Sequence, residues 1–485
     1  MVEHEDKKYV KEICRQDVDF SQWYIDVVRK AELADYAPVR GCMVIRPYGF
    51  AIWELLQAAL DADIKAAGHE NAYFPLLIPE SFLAKEAAHT EGFTPQVAWV
   101  THGGNEELEE RLAIRPTSEA IICQMYAKWI RSWRDLPVMI NQWANIIRWE
   151  KVTRLFLRTT EFLWQEGHTA HRTPEEAQEE ALKILELYEN FSHEILAIPV
   201  YTGVKTDRER FPGAVQTYTV EAMMPDGRAL QAGTSHDLGQ HFAKVFDITY
   251  LEEDNQLHYV WQTSWGVTTR LIGALIMVHG DDAGLKLPPH IAPVQAVVVP
   301  ITFEETKEEV LAQARTLADE LERGGIRVKL DGRDEYTPGW KFNEWELRGA
   351  PLRLELGPKD MARGVVTAVR RDTRDRAAVP RGEIVAWAKD MLDVIQKDML
   401  AAATVRRDAK TQTVESRDDF YLLFEGRPGF VRAPWCGDGE CEGRIAEETG
   451  ATIRFLPLEA EEASGAVCVG CGGEAGVWAY FAKAY

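Results

Sequence analysis

Two arginines, each at the end of a strand-like run, constrain this chain more than any other feature. The first lies in Ile147-Arg148-Trp149-Glu150, which leads through a charged stretch to Arg158-Thr-Thr-Glu-Phe162-Leu-Trp164-Gln-Glu166-Gly-His168. That reads as strand, charged loop, strand. The second closes Thr263-Ser-Trp-Gly-Val-Thr-Thr-Arg270 and runs into Leu-Ile-Gly-Ala-Leu, a strand end entering an apolar helix. Arginine keeps its charge in proteins and offers a rigid fork of donors, so it suits bound phosphate. Between the two, from about Val200 to Val267, short strand-like runs alternate with turns such as Pro225-Asp-Gly227, the pattern of antiparallel sheet. Thr173-Pro-Glu-Glu176 is a capping box opening an amphipathic helix through Leu182, Leu185, Tyr188, Phe191 and Leu196. The sequence has no G-x-x-x-x-G-K-[ST] run, so phosphate held by a P-loop is excluded.

A chain of 485 residues should hold several domains. Residues 20–60 read as helical, with Trp23, Ile25, Val28, Leu33, Ala51, Trp53, Leu55 and Leu56 spaced for one buried face. A turn, a strand and a proline stop follow through Pro75 and Pro79. A break falls at Leu287-Pro-Pro-His-Ile-Ala-Pro293. Beyond it, strand Ala296–Ile301, helix Glu304–Arg323 and strand Ile326–Leu330 form a βαβ unit with parallel strands. A helix through Trp340 and Trp345, strands at Leu352–Leu356 and Val365–Val369, and helix Glu383–Met399 complete an α/β domain. Arg406–Arg417 reads as a polar linker. The expected domains are 1–287, 288–405 and 406–485.

Net charge is −22, which argues against indiscriminate nucleic-acid binding. Arg323–Arg381 is nonetheless basic, with 14 Lys and Arg against 9 Asp and Glu. It is either a salt-bridged surface or a face for RNA. No apolar run approaches the ~20 residues that span a membrane. The N-terminus is charged, without an apolar signal core, so a cytoplasmic location is expected.

The ordered set, R-x-E, then R-x-x-E-F, then a distant G-x-x-x-R, resembles motifs 2 and 3 of class II aminoacyl-tRNA synthetases. With Arg115-Pro-Thr117-Ser-Glu119 upstream and Ala232-Gly-Thr-Ser235-His236 between, the chain is similar to the prolyl-tRNA synthetases of the short, archaeal/eukaryotic-like form. The resemblance runs from about Asp19 to Tyr485. It implies an antiparallel class II catalytic core, an α/β anticodon-binding domain and a small C-terminal zinc-binding α/β domain. It implies ATP with Mg2+, L-proline and tRNA(Pro) as substrates, and a homodimer formed through the helix and proline-ended strand near Pro79. Arg148 and Arg270 are then the catalytic cations. Glu150, Arg158, Phe162, Gln231, Gln262 and Thr263 join them around ATP. Thr117, Glu119, Arg148, Trp164, Glu166, His168, Ser235 and His236 are expected around proline. The pairs Thr117/Glu119 and Glu166/His168 lie two apart, so on extended chain each pair shares a side. Glu86–Pro95 resembles the family's mobile loop over the proline site.

Thr337-Pro-Gly-Trp-Lys341-Phe-Asn-Glu-Trp-Glu346-Leu-Arg348 and the later Lys359 match the family's anticodon domain. A glutamate accepts from a guanine edge and arginine donates to O6 and N7, so Lys341, Glu346, Arg348 and Lys359 are the anticodon candidates. Cys436-x4-Cys441 and Cys468-x2-Cys471 suit tetrahedral Zn2+, with reduced thiols or a disulfide as the alternatives. By resemblance the closing aromatic stretch, Val477–Tyr485, points its terminal tyrosine at the catalytic domain. No cis-editing domain is expected between His168 and Thr263. Other readings are a threonyl or histidyl enzyme of the same subclass, or a non-catalytic RNA-binding paralogue.

Overall fold

The computed structural model describes residues 13–87 and 97–485. Glu86–Pro95 lies outside these residues apart from its first two positions, which end the helix Glu80–Ala87.

The centre is a seven-stranded sheet. Its order is Glu70–Asn71, Val138–Ile147, Glu161–His171, Trp261–Thr268, Ala229–Gly239, Gln216–Met223 and Val200–Val204. Only the short edge strand Glu70–Asn71 is parallel to its neighbour. The other pairs are antiparallel, as the turn-rich sequence predicts. The capping box holds: Thr173 accepts from Glu176 N–H at the start of Pro174–Glu194. That helix covers one sheet face with Ala177, Ala181, Ile184, Leu185, Tyr188 and Phe191. Leu182 turns to solvent, and Leu196 is buried just past the helix end. The other face stays partly open.

Residues 20–60 are not one helical run. Phe20–Lys30 and Pro47–Ala66 are helices, but a small hairpin, Ala34–Tyr36 with Met43–Ile45, separates them. Glu32 in left-handed backbone breaks the first helix, and Pro38 with Gly41 turns the hairpin. Leu33 O accepts from Arg46 N–H there, and Gly49 passes so close to Leu33 that a Cβ would stand 2.2 Å from its carbonyl oxygen.

After the proline-rich break, Ala296–Pro300 pairs in parallel with Val328–Leu330 and Leu352–Leu356. Val365–Arg370 and Arg376–Pro380 add antiparallel strands. The region read as a linker is regular structure. Helix Ile384–Ala409 continues through it, and Thr411–Thr413 begins the next sheet. Arg406 and Arg407 are polar in sequence but donate to Val278 O and Val200 O of the central unit. The last sheet has the order Thr411–Thr413, Phe430–Trp435, Val477–Ala482, Thr452–Phe455. It docks on the central sheet through a shared aromatic cluster of Tyr201, Phe430, Phe455 and Tyr480. Val204 and Leu456 exchange backbone hydrogen bonds of 2.9 and 2.8 Å, so this domain extends the edge of the central sheet.

Candidate active site

Side chains alternate across a strand, so register assigns each residue to a face. Gln142 lies opposite Glu166, Ser264 opposite both His168 and His236, and Thr217 opposite His236. These residues, with Phe162, Trp164, Thr234 and Thr268, share the open face. Ser235, Thr263, Thr169 and His171 belong to the helix-covered face.

Glu166 is the polar centre of the open face. One carboxylate oxygen accepts from Gln142 at 2.7 Å and from Ser118; the other lies 3.0 Å from His168 Nε2. Burial lowers the His168 pKa, but the Glu166 carboxylate outweighs it and holds the ring above its ordinary value. His236 behaves oppositely. Thr217 Oγ1 accepts from Phe211 N–H and lies 3.0 Å from His236 Nδ1, and burial pushes the ring down to about 3. It is neutral at ordinary pH, while its neighbour across Ser264 holds its proton longer. Thr117 donates to Glu119. The two meet as expected, but by another geometry: Glu119 opens helix Glu119–Trp129 rather than continuing an extended run.

Arg148 ends its strand with Nε donating to Pro116 O at 3.0 Å. Its guanidinium lies 5.8 Å from both the Phe162 and Trp164 rings. Glu119, Glu166 and Glu150 are its charged neighbours. Arg158 pairs with Glu150 at 2.7 Å. Arg270 donates to Leu157 O at 3.2 Å and Gln231 O at 3.4 Å. Burial and then the charge of Arg148 push Arg270 down, and Arg158 adds to the effect. The three guanidiniums thus converge, with the charges of Arg148 and Arg158 both acting against that of Arg270, a repulsion that a bound anion would relieve. Gln231 borders the same region, its amide donating to Thr219 Oγ1 at 3.3 Å.

Three expected residues fall elsewhere. Ser235 is fully buried and donates to Ala181 O at 2.8 Å beneath the covering helix. Thr263 is buried against Thr169, whose hydroxyl lies 2.7 Å from His171 Nε2. Gln262 packs under helix Glu119–Trp129 with its amide 3.5 Å from Cys123 Sγ. It lies six residues, about 20 Å of strand, from Thr268. Conversely, sequence reasoning missed Thr234, Thr268 and Ser264. Thr234 and Thr268 are half-buried on the open face, and Thr268 Oγ1 accepts from Arg270 N–H at 3.1 Å. Ser264 Oγ is buried without a hydrogen-bond partner between the two histidines. Period-two counting from Gln231, His236 and Arg270 was the available signal, but the bulge between Val220 and Glu221 shifts register near Gln231.

In the last domain, the four cysteine sulfurs lie within 4.8 Å of one another, with Cys441 and Cys468 3.7 Å apart. A tetrahedral zinc–thiolate site with ~2.3 Å bonds has sulfurs about 3.8 Å apart, so the donor set fits such an ion. The Cys468 turn is closed by Cys468 N–H donating to Gly473 O at 2.8 Å, with Gly472 in left-handed backbone.

Residues 99–279 match the family model for the tRNA synthetase class II core domain (G, H, P, S and T), and residues 295–391 match the anticodon binding domain. Residues 417–485 match the prolyl-tRNA synthetase C-terminal domain. A proline–tRNA ligase of Natranaerobius thermophilus is 57% identical over 481 residues, 99% of each chain. One from Rubrobacter xylanophilus is 58% identical over 98% of this chain and 99% of its own. Proline–tRNA ligase 2 of Clostridioides difficile is 54% identical over 99% of each. The chain belongs to the prolyl-tRNA synthetase family.

Within the synthetase's anticodon-binding domain, the four candidates separate. Lys359 is exposed. Glu346 borders a cavity of about 220 Å³ with Arg353, Arg371, Arg374 and Arg376, and pairs with Arg374 at 3.2 Å. Lys341 is buried, and Nζ donates to Asp331 O at 3.2 Å. Arg348 faces the catalytic unit: it pairs with Glu32 at 2.7 Å, stands 5.4 Å from the Tyr48 ring, and its carbonyl accepts from Tyr48 O–H. The motif match grouped Lys341 and Arg348 with Glu346, but the packing of that helix turns both inward. The basic stretch is also heavily salt-bridged, through Arg333–Glu344, Arg370–Asp372 and Arg381–Glu320 among others.

Proposed function

We propose that this chain joins proline to tRNA(Pro) through prolyl-adenylate, on the open face of the seven-stranded sheet. The observation that carries the reading is the position of Arg148 between two chemistries. Its charged neighbours are the carboxylates Glu119, Glu166 and Glu150, its aromatic ones Trp164 and Phe162, and its own charge, with that of Arg158, reaches Arg270. Glu119, Glu166 and Thr117 hold the secondary ammonium, while Trp164, His168, Ser264 and neutral His236 enclose the ring. Arg148 draws the proline carboxylate to the α-phosphate of ATP. Phe162 stacks on the base, Glu150, Arg158, Gln231, Thr234 and Thr268 flank the nucleotide, and Arg270 receives the far phosphates. A carboxylate oxygen attacks the α-phosphorus and the bond to pyrophosphate breaks. Mg2+ enters with ATP and shares the charge of its phosphates. Two anions must meet, so cations and positioning supply the rate, and no protein nucleophile is required. The terminal ribose of tRNA then attacks the prolyl carbonyl and AMP leaves.

The reading extends to the other domains. Glu346, Arg353, Arg374, Arg376 and Lys359 form the face for the anticodon guanines. Cys436, Cys441, Cys468 and Cys471 hold structural Zn2+, a closed four-thiolate site with no position for substrate. Exposed Tyr73, Leu77, Trp99 and Trp129 support a homodimer built around the proline-ended strand. No helix among the described residues is long and apolar enough to cross a membrane; the use of tRNA as substrate supports a cytoplasmic location.

Pyrophosphate exchange measured with each of the twenty amino acids tests the activity. Proline should support the fastest exchange by far. Preference for threonine or histidine, or no exchange at all, overturns the assignment. Elemental analysis should find one zinc per chain, and Cys468→Ser should release it.

A further inference from the structure

A second charged cluster lies outside the site described above, in the seam between the catalytic sheet and the C-terminal domain. Glu221 is fully buried there. Its carboxylate accepts from Lys205 Nζ at 2.8 Å, from Thr219 Oγ1 at 3.0 Å, and from Arg454 through Nη2 at 3.0 Å and Nε at 3.1 Å. Lys205 also donates to Arg454 O at 2.7 Å, and Arg454 Nη1 reaches Thr452 Oγ1 at 3.1 Å. Two buried cations share one carboxylate, so the cluster carries one excess positive charge. Such clusters add little stability against an apolar replacement, so a buried one invites a functional explanation.

The cluster is wired toward the three guanidiniums. Thr219, which donates to Glu221, accepts from the Gln231 amide at 3.3 Å. The Gln231 carbonyl in turn accepts from Arg270 Nη1 at 3.4 Å. Gln231 is therefore held at its side chain by the cluster and holds Arg270 with its backbone. The register shift beside Glu221 sits opposite this residue. Bulges re-aim the backbone in this way beside active sites. Glu221 and Arg454 are both charged neighbours of Arg270.

We propose that Arg454, from the C-terminal domain, is a positioning residue for the triphosphate of ATP. It acts through Glu221, Thr219 and Gln231 on Arg270, and its excess charge favours the pyrophosphate end of the nucleotide. The C-terminal domain thereby contributes to the first chemical step by a route separate from its cysteine cluster. This rests on the assignment of Arg270 to the far phosphates.

The test is steady-state pyrophosphate exchange with the full-length enzyme, varying ATP, pyrophosphate and proline in turn. Arg454→Met should raise KM for ATP and for pyrophosphate about tenfold, and leave KM for proline within about twofold. Arg454→Lys, which keeps the charge, should recover part of that loss. Thr219→Val leaves the Arg454–Glu221 pair in place but cuts its link to Gln231. It should raise KM for ATP about threefold with zinc content unchanged and only a modest drop in melting temperature, so the proposal remains testable if Arg454→Met misfolds. Unchanged KM for ATP in Thr219→Val, or a rise in KM for proline equal to that for ATP in Arg454→Met, overturns the proposal. An inactive wild-type enzyme would instead overturn the functional assignment beneath it.

Discussion

The open face of the catalytic sheet and the surface of the anticodon-binding domain were read from the same kind of signal, short charged motifs, with different success. On the sheet, Arg148, Trp164, Glu166, His168 and His236, grouped by the resemblance, lie together around one face. In the anticodon domain, Lys341 is buried and Arg348 faces the catalytic unit. The difference is geometric. A strand has two faces, so one anchored residue assigns every second neighbour. A helix offers a continuous circumference, and residues three or four apart share a side without revealing whether that side meets solvent, core or another domain.

Five substitutions can break or sharpen this contrast. Arg148→Ala should have the largest effect, lowering adenylate formation by about 100–1,000-fold, since one transition-state charge contact is worth ~3 kcal/mol or more. Pyrophosphate exchange would report it, and a near-normal rate would undo the strand-based assignment. Arg374→Ala comes next. It removes an exposed cation from the Glu346 cavity, and kcat/KM for tRNA(Pro) should fall about tenfold while pyrophosphate exchange persists. Equal losses in both assays would show that the cavity serves the catalytic unit instead.

The third comparison uses adjacent residues on opposite faces. Thr234→Val should raise KM for ATP roughly fivefold. Ser235→Ala, which loses its bond to Ala181 O, should cost about 1 kcal/mol of stability and leave the kinetics alone. Reversed outcomes would mean that the register is wrong. The smallest effect belongs to Arg348→Ala. Its bond to Glu32 is partly exposed, so loss of the pair should cost no more than about 1 kcal/mol, read as a small drop in melting temperature. A selective loss of tRNA charging would return Arg348 to the RNA face.

Legibility followed the same physical lines in the fold. The antiparallel core was visible because turns punctuate it, and the βαβ unit because an amphipathic helix with a Gly-Gly stop joins two apolar runs. The capping box at Thr173 located a helix start that hydrogen bonds bear out. Arg406–Arg417 misled because polar residues can extend a helix as well as a loop. Arg406 and Arg407 find carbonyl partners only where the central unit meets them. Gln262 and Thr263 misled because hydroxyl and amide side chains look alike whether they face ligand or interior.

The sequence by itself determined the chemistry: which cations, carboxylates, aromatics and thiols are present, and in what order along elements of known period. Those facts are local, set by side-chain type and by the two or 3.6 residues per repeat of strand and helix. Tertiary structure alone decided which faces meet. It covered Ser235 with a helix, turned Arg348 toward Glu32, and brought Arg454 to Glu221 across more than two hundred residues. Such contacts depend on how whole elements pack and on which polar groups must be satisfied once water is excluded, and no short stretch of sequence encodes either.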